Sequence, residues 1–247
     1  MQIATMLHGK WYSAIARHRE RSEATQFHST LLGRFASVAM TAGIMALLSA
    51  SSPALAHPHV FVVSQSEVVF DASGKVKAIR HFWTFDEMYS SFAAQGIGTD
   101  GKPATREQFA PLAKVNAASL AEMGYFTVLK IGGKQVDFGD VTDYWMEETP
   151  EHLLTFHVEL PLKTPVPPPK IMSLQVYDPE YYISFEFDEK APPKLIGAPK
   201  GCSIGSRKPD DLKADEKGKL TESFFSGLSP GAGFGLKMAS HAVVACP

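Results

Sequence analysis

The stretch VFVVSQSEVVFDASGKVKAIRHFWTF, Val60 to Phe85, decides the fold class. A run of β-branched and aromatic residues ends at Phe70, and Asp71-Ala72-Ser73-Gly74 has the composition of a tight turn. A second run of the same kind then returns to Phe85, so the stretch reads as a β-hairpin. The period changes beyond it: Asp86–Gln95 and Thr105–Glu122 read as two helices around a glycine-rich loop, and Thr84 and Glu87 have capping-box spacing for the first. Strand patterns resume at Tyr125–Ile131, Lys134–Phe138, Val141–Glu147, His152–Leu160, Ile171–Tyr177, Tyr182–Phe187 and His241–Cys246. PLKTPVPPP, residues 161–169, is proline-rich and reads as an extended connection. The pattern predicts a mainly β, sandwich-like antiparallel fold with a helical insertion at about residues 86–122, and an α+β arrangement as the alternative. The domain then covers residues 57–200, and residues 201–247 form a C-terminal tail packed back on it through a disulfide, with a short strand candidate after Gly201, a helix near Leu220–Gly227 and a flexible link at Gly231–Gly235.

Upstream of the hairpin, an apolar run from Phe35 to Ala50 follows Arg17, Arg19, Arg21 and Arg34 and precedes Ala54-Leu55-Ala56. A basic region, a short apolar region and an A-x-A site predict a secretory signal peptide over residues 1–56. The run is shorter than the roughly 18 residues of a membrane span, which argues against a retained anchor. The basic region is long and leaves Met6 as an alternative start. Cleavage after Ala56 makes His57 the first residue of an exported, periplasmic chain that is not itself transmembrane.

Five of the 24 basic and two of the 26 acidic residues precede His57, so the mature chain carries a net charge of −5. That mildly acidic balance argues against nucleic acid as a partner. The two cysteines, Cys202 and Cys246, both lie in the mature part. An even count in an exported protein points to one disulfide, which would close a loop of about 45 residues and add roughly 4 kcal/mol in the chain-entropy model. A pair of thiolate metal ligands is the alternative.

Several motifs follow one another in order: HPHV after the leader, FWTFDEMYSSF (82–92), FGDVTDYW (138–145), VYDPEYYISFEF (176–187), GAPKGC (197–202) and a terminal ACP. In this the chain resembles a domain-of-unknown-function family of bacterial periplasmic proteins, usually labelled the periplasmic component of an ABC-type transport system and often encoded beside nickel/cobalt- or zinc-type permeases. The resemblance implies a periplasmic location and an inner-membrane metal permease as partner. It brings no catalytic residues.

His57 and His59 are two residues apart, so in a strand both face one way and can converge on one ion, with Pro58 stiffening the link. A newly made α-amine adds a third nitrogen, with a reference pKa near 7.7. The hairpin supplies a further ligand in either of two registers. Pairing Asp71 with Gly74 sets Asp86 opposite His59, and a slip of one residue puts His81 on the face of His59. The predicted metal site is therefore His57, His59, His81 and Asp86. Imidazole and amine nitrogens with one carboxylate suit Zn, Ni, Co or Cu. His152 and His157 fall on opposite faces of one strand and cannot share an ion from there.

Two other functions compete with a metal-binding, non-enzymatic transport accessory. GCSIG, residues 201–205, fits G-x-S-x-G, with Ser203 as nucleophile, Asp210, Asp211 or Asp215 as acid and His241 as base, but a serine hydrolase needs a strand-turn-helix setting that this polar stretch lacks. A metal-independent interaction partner of a membrane transporter would use the aromatics of DYWMEE or YDPEYYISFEF, although alternating aromatics mostly serve a core.

Overall fold

The hairpin forms, but its register is set by the turn. In the computed structural model, which describes residues 58–98, 103–168, 170–209 and 234–247, β1 (Val60–Phe70) pairs antiparallel with β2 (Val76–Phe85). Asp71 Oδ1 accepts from Ser73 N (2.8 Å), Ser73 Oγ (2.7 Å) and Lys75 N (2.9 Å), and Gly74 turns with φ +79°. The Gly74 N–H donates to Asp71 O (2.9 Å), but the strand pairing is closed by the Asp71 N–H on Lys75 O (2.8 Å), and a bulge at Val69/Phe70 moves the pairing one residue further. Phe61 then stands where Asp86 begins, Val62 pairs with Phe85 and Ser66 with His81. Both registers anticipated from the turn composition are corrected by this.

The first sheet has the order β5 (Asp143–Glu148), β6 (Leu154–Val166), β2, β1, β8 (Ile183–Phe187), with β9 (Lys194–Ile196) also on β1. The second runs β10 (Ser203–Arg207), β11 (Ser240–Ala245), β7 (Ile171–Val176), β3 (Thr127–Ile131), β4 (Lys134–Gln135). The mainly β, sandwich-like fold is thus as predicted, with one departure from antiparallel pairing: β8 and β9 both run parallel to β1. Residues 203–207 and 240–245 are two strands of the second sheet, with β11 interior to it, so the C-terminal segment is more than a tail tied back. Cys202 and Cys246 form the expected disulfide at the open end of the β10–β11 pair. The predicted leader, His57, and the helix near 220–227 lie outside the described residues, as does all of the glycine link except its last two residues.

β6 continues through Pro161 to Val166, so most of the predicted extended connection is a paired strand. The Pro161 carbonyl faces Gly139 N (2.7 Å), so its ring nitrogen, which has no hydrogen, also faces that side, beyond the end of β5. No donor to β2 is lost, and the strand tolerates the residue.

Alternate residues of both sheets meet in one core. Val62, Ile79, Trp83, Phe156, Leu160 and Phe185 come from the first sheet, and Leu129, Leu174, Val176 and Val244 from the second. Full burial of one such side chain is worth roughly 2 kcal/mol. Helix α1 (Glu87–Ala93) is capped by Asp86, and Thr84 stays in β2 bonded to Thr155 Oγ1 (2.9 Å), so the predicted capping box is replaced. Helix α2 (Arg106–Ser119) begins with a Thr105/Gln108 capping box and buries Phe109, Ala113 and Ala117, which recur every four residues along one face. A short 3₁₀ turn, Gly124–Phe126, leads into β3 with Tyr125 (φ 59°) and Phe126 (φ 48°) both left-handed. Two consecutive aromatic residues in that region cost about 1–2 kcal/mol each.

Candidate functional site

The start of β1 is where His59 and Asp86 lie. The His59 N–H donates to Tyr182 O (2.9 Å), and its ring lies 4.6 Å from the Tyr182 ring. Asp86 joins the hairpin to α1: its N–H donates to Phe61 O (2.9 Å), Oδ2 accepts from Phe61 N (2.7 Å), and Oδ1 accepts from Tyr89 N (2.8 Å). The carboxylate expected to face an ion is already engaged by two backbone donors. His57 lies outside the described residues.

His81 is not brought to this end. The observed register turns it into the sandwich, where it is fully buried. Its Nδ1 lies 2.8 Å from Ser66 Oγ and its Nε2 3.1 Å from Thr127 Oγ1, on the opposite sheet. Thr127 Oγ1 donates to Tyr125 O (2.8 Å), so it accepts from Nε2–H; Nδ1 then accepts from Ser66, which in turn accepts from Ser64 (3.3 Å). Both ring nitrogens of His81 are thus used, and Trp83 stacks on the ring at 5.1 Å. Burial pushes the His81 pKa down to about 3, so the ring is neutral. Its role is to tie the two sheets together.

Two histidines set aside as metal ligands each acquire a carboxylate. Glu147 and Glu148 are adjacent on β5 and therefore point to opposite faces. Glu147 Oε1 lies 2.8 Å from His157 Nε2 on the outer face of the first sheet. There the His157 ring stacks on Trp145 (4.4 Å, 14°), Phe82 meets it edge-on (5.1 Å), and the Arg106 guanidinium lies 4.4 Å from the Trp145 ring centre. Burial lowers the His157 pKa, with Glu147 pulling the other way. Glu148 accepts from Ala104 N (2.8 Å) and lies 2.6 Å from His152 Nδ1. Burial pushes Glu148 up, but the Ala104 and His152 hydrogen bonds outweigh it and hold the carboxyl below its usual range. The signal in the sequence was the Glu-Glu pair on a strand that a short turn folds back against two histidines.

Ser203 opens β10 opposite Ala245, and His241 pairs with Arg207 at the other end of the same ladder. Four residues of strand separate them, about 13 Å, so they are not in hydrogen-bond reach. Asp210, Asp211 and Asp215 lie outside the described residues. Among the described residues no three His, Cys, Asp or Glu side chains gather as a ready metal site.

This arrangement of two sheets, one helical insertion and one disulfide occupies a region that a single family model matches over residues 42–246, under the description "Protein of unknown function (DUF1007)". The chain belongs to this family. The DUF1007 match takes in every strand described above and begins inside the apolar run Phe35–Ala50. No curated protein matches the chain. Among solved structures it is similar to the Biomphalaria glabrata acetylcholine-binding protein type 1, at 7% identity and a TM-score of 0.35, over 85% of this chain and 97% of that one. Likeness at that level says nothing about what the DUF1007 chain binds.

Proposed function

We propose that this DUF1007 protein is an exported periplasmic accessory of a transition-metal (Ni/Co/Zn type) transport system, holding a divalent ion at its mature N-terminus. The observation that carries this is the position of β1. Its first residue is Val60, and the His59 N–H is tied to Tyr182 O. Cleavage after Ala56 would leave only His57, Pro58 and His59 ahead of a fixed strand, so the amine and two imidazoles would be held within a short, proline-stiffened segment. The proposed ligand set is these three groups, because His81 is interior and Asp86 is engaged by the backbone. Three protein ligands leave a coordination position open, which suits an ion that is to be passed to a permease. Imidazole and amine must lose protons to bind, so affinity falls with acid.

The test uses protein secreted with its own leader and a C-terminal tag, its first residue checked by mass spectrometry and then titrated with Zn, Ni, Co and Cu. One-to-one binding that disappears in His57→Ala/His59→Ala, or when one residue is added before His57, is the expected result. Binding unchanged in both, or no binding of any of the four ions, overturns the site.

A second reading rests on exposed apolar surface. Phe61 and Val63 on β1, Tyr182 before β8, and Met88 and Phe92, four apart on α1, are all about half exposed or more. Such surface suits a metal-independent partner of a membrane transporter, and capture of the permease by a metal-stripped protein would favour it.

A further inference from the structure

Beside the start of β1, between the inner face of the first sheet, the end of α2 and the 3₁₀ turn, lies a partly open cavity of about 190 Å³. We propose that it is a binding site for a small single-ring aromatic or alicyclic molecule bearing one hydroxyl or similar polar group. The cavity adjoins the strand that follows the proposed metal ligands, but neither inference requires the other.

Three observations carry it. The walls are aromatic and come from distant parts of the chain: Trp83 and Phe85 from β2, Phe156 from β6, Phe185 from β8, and Phe126 from the 3₁₀ turn. A void of roughly 150 Å³ lined by apolar side chains stays dry and takes up benzene, so this slightly larger one accommodates a ring with a short substituent and excludes a protein helix. The second observation is the backbone that supplies Phe126. Tyr125 and Phe126 are both left-handed, held there after Gly124 by the Tyr125 N–H on Leu120 O (2.7 Å) and by Thr127 Oγ1 on Tyr125 O (2.8 Å), and this brings the Phe126 ring to within 5.3 Å of Phe185 and 6.3 Å of Trp83. Strain kept at a cavity wall is what a pre-formed site displays. The third is polarity confined to a few groups. Asn116, on the last turn of α2, donates its Nδ2 to Leu112 O (2.9 Å) and still offers a carboxamide oxygen at the cavity. Tyr89 adds a phenol that burial keeps protonated. Met123, about half exposed, stands at the mouth, and its flexible thioether can adapt to a guest.

The probes are 4-ethylphenol and its apolar counterpart ethylbenzene, titrated into isotope-labelled protein purified after expression of the full chain. The Trp83 indole N–H and the Phe126 amide serve as NMR reporters. Saturable shifts at both, with dissociation constants on the order of a millimolar or tighter, are expected for an apolar site of this size. Ile183→Trp, which fills the cavity from β8, should abolish them. Asn116→Leu should weaken 4-ethylphenol about fivefold and leave ethylbenzene unchanged, the worth of one hydrogen bond. If Ile183→Trp does not fold, Leu120→Phe fills the cavity from the helix side and serves the same purpose. Absence of saturable shifts, or shifts that persist in the filled variants, overturns the proposal. His57→Ala/His59→Ala should not alter the result, which separates it from the metal reading.

Discussion

His81 and His157 sit on neighbouring strands of the same sheet, and both are buried, yet they face different surroundings. His81 points inward to Ser66, Thr127 and the Trp83 ring, with no charge in its circle of partners. His157 points outward to a carboxylate and a Trp145 ring that carries Arg106 on it. Burial lowers the pKa of both, but for His157 Glu147 offsets part of the effect. Full burial among neutral partners makes His81 a fixed strut, whereas shallower burial and a carboxylate partner leave His157 closer to titrating.

Removing the inward ring should break this contrast most visibly. His81→Ala opens a cavity between the sheets and leaves the Ser66 and Thr127 hydroxyls with one partner fewer, so we expect a loss of about 3 kcal/mol or more in urea unfolding. His157→Ala should cost about 1–2 kcal/mol, the loss of ring contacts on a half-open face. Equal losses would mean that the buried network has no special weight.

The pH dependence sharpens the same comparison. The folded pKa of His81 is about 3, below the ordinary 6.5, so between those values the unfolded chain takes up a proton that the folded protein refuses. Stability therefore falls as pH falls through that window, by up to about 1.4 kcal/mol per pH unit from this residue. His157 contributes in the same direction, starting below its ordinary pKa. In an NMR titration the His81 ring signals should stay constant from pH 8 to 5, whereas those of His157 should move at the acid end. A His81 signal that titrates near 6.5 would contradict the buried arrangement.

The smallest effect belongs to Glu147→Gln. The side chain is about half exposed, so stability should change by about 0.5 kcal/mol or less. The His157 pKa should nevertheless drop further, because the group that raises it is gone. A large stability loss here would show that the outer-face pair carries structural weight comparable to the inner network.

Much of the candidate site was legible as residue types and little of it as geometry. His59 at the head of a strand and Asp86 at a helix start could be read from neighbours in the sequence. That Asp86 would accept from Phe61 N depended on a turn in which Asp71 gathers three donors, followed by a bulge at Val69/Phe70. The same displacement put His81 opposite Ser66. The Glu147–His157 pair depends on β5 folding back on β6, which the spacing of His152 and His157 along their own segment does not reveal.

The sequence by itself determined what is local. Alternating apolar residues specified the strands, Thr105 and Gln108 the start of the long helix, and two cysteines in a chain with a predicted leader the single disulfide. The tertiary structure alone decided the parallel seating of β8 on β1, the interior place of β11, and the cavity walled by six aromatic residues from five separate segments. Side-chain alternation repeats every two residues and is blind to its partner strand. Register and sheet order instead depend on contacts such as that between Gln65 and Asp188, 123 residues apart, which exist only once the chain has closed on itself.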